Sequence, residues 1–177
     1  YENPSFLSTP GAKDVGIEFY TFSKTFNMAG WRLAFAAGND QMIEALNLIQ
    51  DHLFVGIFPA LQEAGIAALL DPKSEEAVAQ LNATYDSRRD AFVQAAAKIG
   101  WQAFPSRGSF YAWMPVPEGD TSESFADLLL EKVHVAVAPG KGFGPAGNAY
   151  VRIGLLVEPE RLVEAVNRIA NLHLFNN

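Results

Sequence analysis

Apolar residues in this chain come as short runs in some places and at helical spacing in others, and the switches between the two predict its elements. Residues 1–16 carry Pro4, Ser5, Pro10, Gly11 and Gly16 and read as a loop. Two apolar runs, 17–22 and 33–37, read as strands on either side of a polar turn. Helical spacing begins after Gly38-Asn39-Asp40, where Met42, Ile43, Leu46, Leu48 and Ile49 form one face and Asp40 is placed to cap it. Pro59 interrupts, a second helix is expected over 61–70, and Asp71-Pro72 ends it. Ser74 with Glu75 and Glu76 starts a long amphipathic helix to about Ile99. Its Val78, Leu81, Tyr85, Phe92 and Ile99 share a face, and Gly100 stops it. Strands are expected over 101–104, 110–115, 133–138 and 149–155. A helix fits 122–132, with Asp120 and Glu123 at its start, and Glu158-Pro159-Glu160 opens a last helix. Long helices alternating with single strands predict α/β or α+β layering. The Asp71-Pro72-Lys73 junction is the expected boundary between 1–71 and 72–177.

Composition narrows the function classes. A chain of 177 residues, 49% hydrophobic and 19% charged, can bury a sizeable core. No apolar run is long enough to span a membrane, and the polar, proline-bearing start shows no targeting segment, so a cytoplasmic protein is expected. The net charge of −7 argues against broad binding to nucleic acid or anionic lipid. The absence of cysteine excludes disulfides, thiolate catalysis and Cys-zinc sites. His52, His134 and His173 lie far apart with no HxxxH spacing, so no metal site is expected. The run Gly142-Phe143-Gly144-Pro145-Ala146-Gly147 has the form GxGxxG. Pro145 removes an N–H and a strand follows, so a dinucleotide site is not expected there.

The chemistry concentrates in Ser23-Lys24-Thr25-Phe26-Asn27-Met28-Ala29-Gly30-Trp31-Arg32. A lysine bracketed by hydroxyls, with an arginine eight residues on, suits an aldehyde cofactor that carries a phosphate. The amine can form an imine with the aldehyde, while the guanidinium and hydroxyls can hold the dianion. Taken alone, Lys24 reads as a solvated loop lysine, and the Thr21 and Ser23 hydroxyls could simply serve a strand end or turn.

The stretch closely resembles the lysine signature of class I aminotransferases, fold-type-I enzymes that use pyridoxal 5'-phosphate (PLP). Its pattern Ser-Lys-(small)-(aromatic)-x-x-x-Gly-x-Arg is matched throughout. The likeness continues in the family's order through Phe58-Pro59-Ala60-Leu61-Gln62-Glu63-Ala64-Gly65 and Pro105-Ser106-Arg107-Gly108-Ser109-Phe110-Tyr111-Ala112-Trp113. It ends with Pro139-Gly140, Phe143-Gly144 and Tyr150-Val151-Arg152-Ile153. The resemblance implies an α/β fold of type I. Residues 1–71 would be the back part of the large PLP-binding domain, and residues 72–177 the small C-terminal α+β domain.

The resemblance also implies roles. Lys24 would be the Schiff-base lysine that, once displaced, moves a proton between the substrate α-carbon and the cofactor C4'. Arg32 and Thr21 would bind the cofactor phosphate, with Ser23 either joining them or serving the turn. Arg152 would grip the substrate α-carboxylate; read without the family, it could be an edge-strand arginine paired to a surface acid. The segment 52–59 resembles the stretch that lines the neighbouring subunit's active site in a homodimer. Its Phe54, Val55, Gly56, Ile57 and Phe58 suit an apolar or mixed substrate side chain, or else pack at a helix end in the core. Phe110, Tyr111 and Trp113 read as small-domain core.

The expected reaction is transfer of an amino group from an amino acid to a 2-oxo acid, with 4-methylthio-2-oxobutyrate or another apolar oxo acid as acceptor. A C–S β-lyase or synthase of the same fold is the alternative within PLP chemistry. The family is about twice this length, and its glycine-rich phosphate loop and ring contacts lie upstream of Tyr1. The third expectation is therefore a folded, inactive C-terminal part.

Overall fold

The computed structural model describes residues 4–104, 106 and 108–175. Tyr1-Glu2-Asn3 and, within the quoted Pro105–Trp113 resemblance, Pro105 and Arg107 lie outside the described residues. So do Asn176 and Asn177.

The opening stretch is more ordered than a loop. Ser5 accepts the Leu7 N–H at 3.2 Å and caps a 3₁₀ turn, Phe6–Ser8, and a single helical turn, α1 (Ala12–Val15), follows. Strand β1 (Ile17–Thr21) leads into a helical turn, α2 (Phe22–Thr25), then a 3₁₀ turn, Ala29–Trp31, and strand β2 (Ala34–Gly38). The strands pair antiparallel, Ile17 opposite Gly38 and Thr21 opposite Ala34. Helix α3 (Asp40–Leu53) is capped by Asn39, not Asp40: the Asn39 Oδ1 accepts the Met42 N–H at 3.1 Å. Asn39 keeps an extended ψ of 127°, which leaves its side chain free to reach back, whereas Asp40 is already helical and serves as a first-turn acid. Helix α4 (Pro59–Leu70) begins at the proline itself, whose missing N–H costs nothing in a first turn. Helix α5 (Ser74–Lys98) is the long amphipathic one.

The chain divides within α5 into two compact units, Tyr1–Gln80 and Leu81–Asn177. The Asp71-Pro72-Lys73 junction forms the turn before α5, closed by Ser74 N–H to the Asp71 carbonyl at 2.9 Å. The first unit has a small core of Ala12, Phe22 and Leu33. Gly65 of α4 lies against it so closely that a Cβ there would be 2.7 Å from Leu33 Cδ2. Much of its apolar surface is uncovered: Val15, Leu53, Phe54, Val55, Phe58 and Leu70 are each at least 69% exposed. A two-stranded sheet with so much bare apolar surface is part of an α/β layer and not a finished one.

The second unit comprises β3 (Tyr111–Pro115), α6 (Ser122–Val133), β4 (Ala138–Pro139), 3₁₀ turns Gly140–Phe143 and Pro145–Ala149, β5 (Tyr150–Gly154) and α7 (Pro159–Ala170). Its antiparallel sheet has the order β3-β5-β4. One sheet face, Ala112, Met114, Val151 and Ile153, is buried with Phe92 and Ala96 of α5, Phe125 and Leu129 of α6, and Leu162, Val166 and Ile169 of α7. Thr121 and Ser124 form a reciprocal capping box at the start of α6, with Thr121 Oγ1 accepting the Ser124 N–H at 3.1 Å.

Two expected strands are absent. Residues 101–104 join β3 through the Phe104 N–H to the Trp113 carbonyl, while the fully buried Trp101 spends its Nε1–H on the Pro115 carbonyl at 2.7 Å. Residues 133–138 fail as a strand because α6 runs to Val133 and His134 closes it in the left-handed region, φ 56°. The Val135 N–H then bonds back to the Leu129 carbonyl. Val135 and Val137 still pack on the core, and only Ala138–Pro139 pairs.

The two 3₁₀ turns touch backbone to backbone. A Cβ on Gly147 would lie 2.0 Å from the Gly140 carbonyl oxygen, and one on Gly140 2.3 Å from that of Gly147. Gly147→Ala is expected to cost about 3 kcal/mol of stability through forced backbone separation. A denaturant titration checks this, and an unchanged midpoint would show that the turns part freely.

Candidate active site

Thr21, at the end of β1, organises the lysine turn. Its Oγ1 accepts the Ser23 N–H at 3.2 Å and donates to Ser23 Oγ at 3.0 Å, so threonine caps the turn that the sequence offered to serine. Lys24 sits on this turn with its side chain exposed. The Tyr20 hydroxyl donates to Thr25 Oγ1 at 2.8 Å. Beneath the polar loop lies an aromatic base: Phe22, buried, packs against Tyr20, Phe26 and Phe35 at centroid distances of 6.3, 5.6 and 5.8 Å. Apolar anchoring at alternate positions thus turns the hydroxyls and the amine outward.

Arg32 stands on the return limb. Its backbone is left-handed, φ 53°, a conformation that costs a non-glycine residue about 1 kcal/mol and persists where the surroundings enforce it. Here they do: the next residue's carbonyl, Leu33 O, accepts the Phe22 N–H at 3.2 Å, and Arg32 Nη1 donates to the Ala29 carbonyl at 3.0 Å. The structure therefore gathers Thr21, Ser23 and Lys24 on one turn, and a backbone bond ties the Arg32 limb to the start of that turn. Two hydroxyls, an ammonium and an exposed guanidinium are a donor set that fits a phosphate dianion and an aldehyde.

Arg152 belongs to the second unit. It lies on β5, the central strand, opposite Trp113. Register places Tyr111, Trp113, Tyr150 and Arg152 on the half-buried sheet face, away from the core residues between them. The guanidinium carbon is 4.1 Å from the ring centroids of both Tyr111 and Phe143. Among the described residues no carboxylate forms an ion pair with Arg152, and its strand is not an edge, so the surface-acid alternative lacks both its features. Tyr111 was expected in the core and instead touches Arg152. The inside-outside alternation of β3 was the signal that could have separated it from Ala112 and Met114. Gly142 to Gly147 forms 3₁₀ turns that lead into β5, with no helix behind them for a pyrophosphate.

Residues 54–58 are not core. Phe54 caps α3, Val55 and Gly56 take positive φ of 58° and 109°, and Phe54, Val55 and Phe58 are 69%, 90% and 69% exposed. Among the described residues no group of His, Cys, Asp or Glu could hold a metal ion, and no helix is long and apolar enough to cross a membrane.

A family model described as "Aminotransferase class I and II" matches residues 4–169. The L-glutamine--4-(methylsulfanyl)-2-oxobutanoate aminotransferase of Bacillus subtilis is 60% identical over 171 residues, covering 97% of this chain and 42% of that protein. An LL-diaminopimelate aminotransferase of Moorella thermoacetica is 47% identical, covering 96% and 43%. Among solved structures, apo BacF of Bacillus subtilis superimposes with a TM-score of 0.91 at 46% identity, covering 98% of this chain and 44% of that one. The aromatic aminotransferase of Pyrococcus horikoshii gives 0.92 at 34% identity, covering 97% and 46%. The chain spans less than half the length of each.

Proposed function

We propose, from the premise that the chain belongs to the class I and II aminotransferase family and carries part of its type I fold, that the complete protein is a PLP-dependent transaminase. The observation that carries the reading is the lysine turn: Lys24 presented beside the Thr21 and Ser23 hydroxyls, with Arg32 on the return limb. When bound, PLP supplies an electrophilic aldehyde carbon and an electron-accepting ring. Thr21, Ser23 and Arg32 would hold its phosphate, and Lys24 would hold its aldehyde carbon and supply the amine that moves a proton at the substrate α-carbon. Arg152 takes the substrate α-carboxylate in a planar, bidentate grip.

The acceptor is an apolar 2-oxo acid. The relative named for 4-(methylsulfanyl)-2-oxobutanoate and L-glutamine supports that pair as first choice, and the exposed apolar 54–58 loop agrees with an apolar side chain. In this reading the complete protein works as a cytoplasmic homodimer, with residues 54–58 against the partner. The uncovered apolar surface of the first unit lies under the upstream half, which also brings the ring contacts. Adding PLP to the 177-residue chain is therefore expected to give little or no turnover.

Reduction of the PLP-loaded complete protein with borohydride, then peptide mass analysis, tests the site. The phosphopyridoxyl group, the cofactor less water plus two hydrogens, is expected on the Lys24 peptide, and its appearance on another lysine would sink the assignment. Product analysis with a β-thio amino acid as donor and the oxo acid as acceptor separates transamination, which turns the acceptor into a new amino acid, from β-elimination, which releases a thiol. Thr21→Val is expected to weaken cofactor retention about 10-fold, since one charge-assisted hydrogen bond to the phosphate and the turn cap go together. Thr21→Ser should retain it, as equilibrium dialysis of PLP would show.

A further inference from the structure

We propose that Tyr111 and Phe143 are positioning residues for Arg152, two rings that fix its guanidinium plane and turn its N–H edge toward a substrate carboxylate. The inference rests on the reading of Arg152 as the carboxylate grip. An arginine side chain is long and flexible, and a bidentate pair with a carboxylate forms only in the guanidinium plane. Ring faces attract a guanidinium and also define that plane. At Arg152 two rings each lie 4.1 Å from the guanidinium carbon, and no carboxylate among the described residues competes for the charge.

Both rings are themselves held. Tyr111 lies opposite Gly154, which presents no side chain to displace it, and its ring packs on Phe110 at 4.6 Å. Phe143 ends the first 3₁₀ turn and meets Trp113 edge to face at 5.9 Å. That turn is fixed at its start by the Gly140–Gly147 backbone contact and by the Lys141 N–H bond to the buried Ser122 Oγ at 3.2 Å. Phe143 is nevertheless 53% exposed, so core burial does not account for its ring. The glycine-rich loop thus delivers an aromatic wall to Arg152 from outside the sheet, while β3 delivers the other from within it.

The test uses the complete, PLP-loaded protein. Phe143→Leu and Tyr111→Leu are expected to raise KM for the 2-oxo acid about 10-fold with kcat changed less than about 3-fold, the signature of lost uniform binding. The dissociation constant of an unreactive straight-chain monocarboxylate should rise by the same factor. Tyr111→Phe keeps the ring and should behave as the parent. In protein labelled with ¹⁵N-arginine, each leucine variant should move the Arg152 Nε–H resonance as a ring current is removed. Arg152→Leu is the control. If it leaves KM intact, the carboxylate role of Arg152 falls. If it raises KM while both ring variants keep parental KM and parental carboxylate affinity, the positioning role alone falls. Equal losses in kcat, KM and thermal midpoint would also overturn it, by showing that the rings only support folding.

Discussion

Lys24→Ala in the complete protein is expected to lower kcat for transamination by at least about a thousandfold, the range spanned by removal of a positioned acid-base group. In the proposed function the amine has two duties, and alanine removes both: it would be the nucleophile that holds the cofactor aldehyde and the base that moves the α-proton. Arginine would keep the charge but not the chemistry, because a guanidinium does not deprotonate in proteins. The fold should tolerate either change. Lys24 is exposed on a single helical turn that the Thr21 cap and the buried Phe22 hold in place. Steady-state kinetics with glutamine and an apolar oxo acid, alongside a thermal melt, separates the outcomes. Near-parental kcat in Lys24→Ala would remove the lysine from the mechanism.

Arg152→Leu is expected to lower kcat/KM for the oxo acid roughly 100-fold, the loss that follows from removing a charged, hydrogen-bonded grip on a carboxylate. Arg152→Lys should recover only part of it, because an ammonium restores the charge but not the planar fork. Leucine leaves the sheet intact: Arg152 faces away from the core, and β5 is held by backbone pairing to β3 and β4. A drop confined to kcat with KM unchanged would place Arg152 outside carboxylate binding. The same assay with an acceptor bearing a second carboxylate reports on side-chain preference, for which the apolar 54–58 loop predicts a poor substrate.

The two candidate arginines show how differently sequence informs. Arg32 was legible because motif spacing fixes it eight residues from Lys24, within one hairpin connection. Its left-handed backbone was not legible, since arginine, unlike glycine, asparagine, aspartate or histidine, is not enriched at positive φ. Arg152 was legible as a candidate from its apolar neighbours, yet the rings around it were not. Phe143 comes from a loop and Tyr111 from another strand, and only the register of β3 on β5 brings them to one guanidinium. The missed strands have a similar cause. Residues 101–104 and 133–138 carry strand-like side chains, but their backbone groups are committed elsewhere, to a helix C-terminus and to single tertiary bonds.

Sequence alone determined the elements with strong periodicity, the family, and the side chains capable of the chemistry, because apolar spacing and a contiguous motif are local properties. The stripe Val78, Leu81, Tyr85 and Phe92 runs along α5 as its spacing required, with Ile99 just past its end, partly or fully buried throughout. Tertiary structure alone decided which hydroxyl caps the lysine turn and which strand is central. It also decided which glycines touch and which aromatic residues leave the core for the face of Arg152. Each of these depends on partners distant in sequence, where hydrogen-bond satisfaction and packing select one arrangement from several that the local pattern allows.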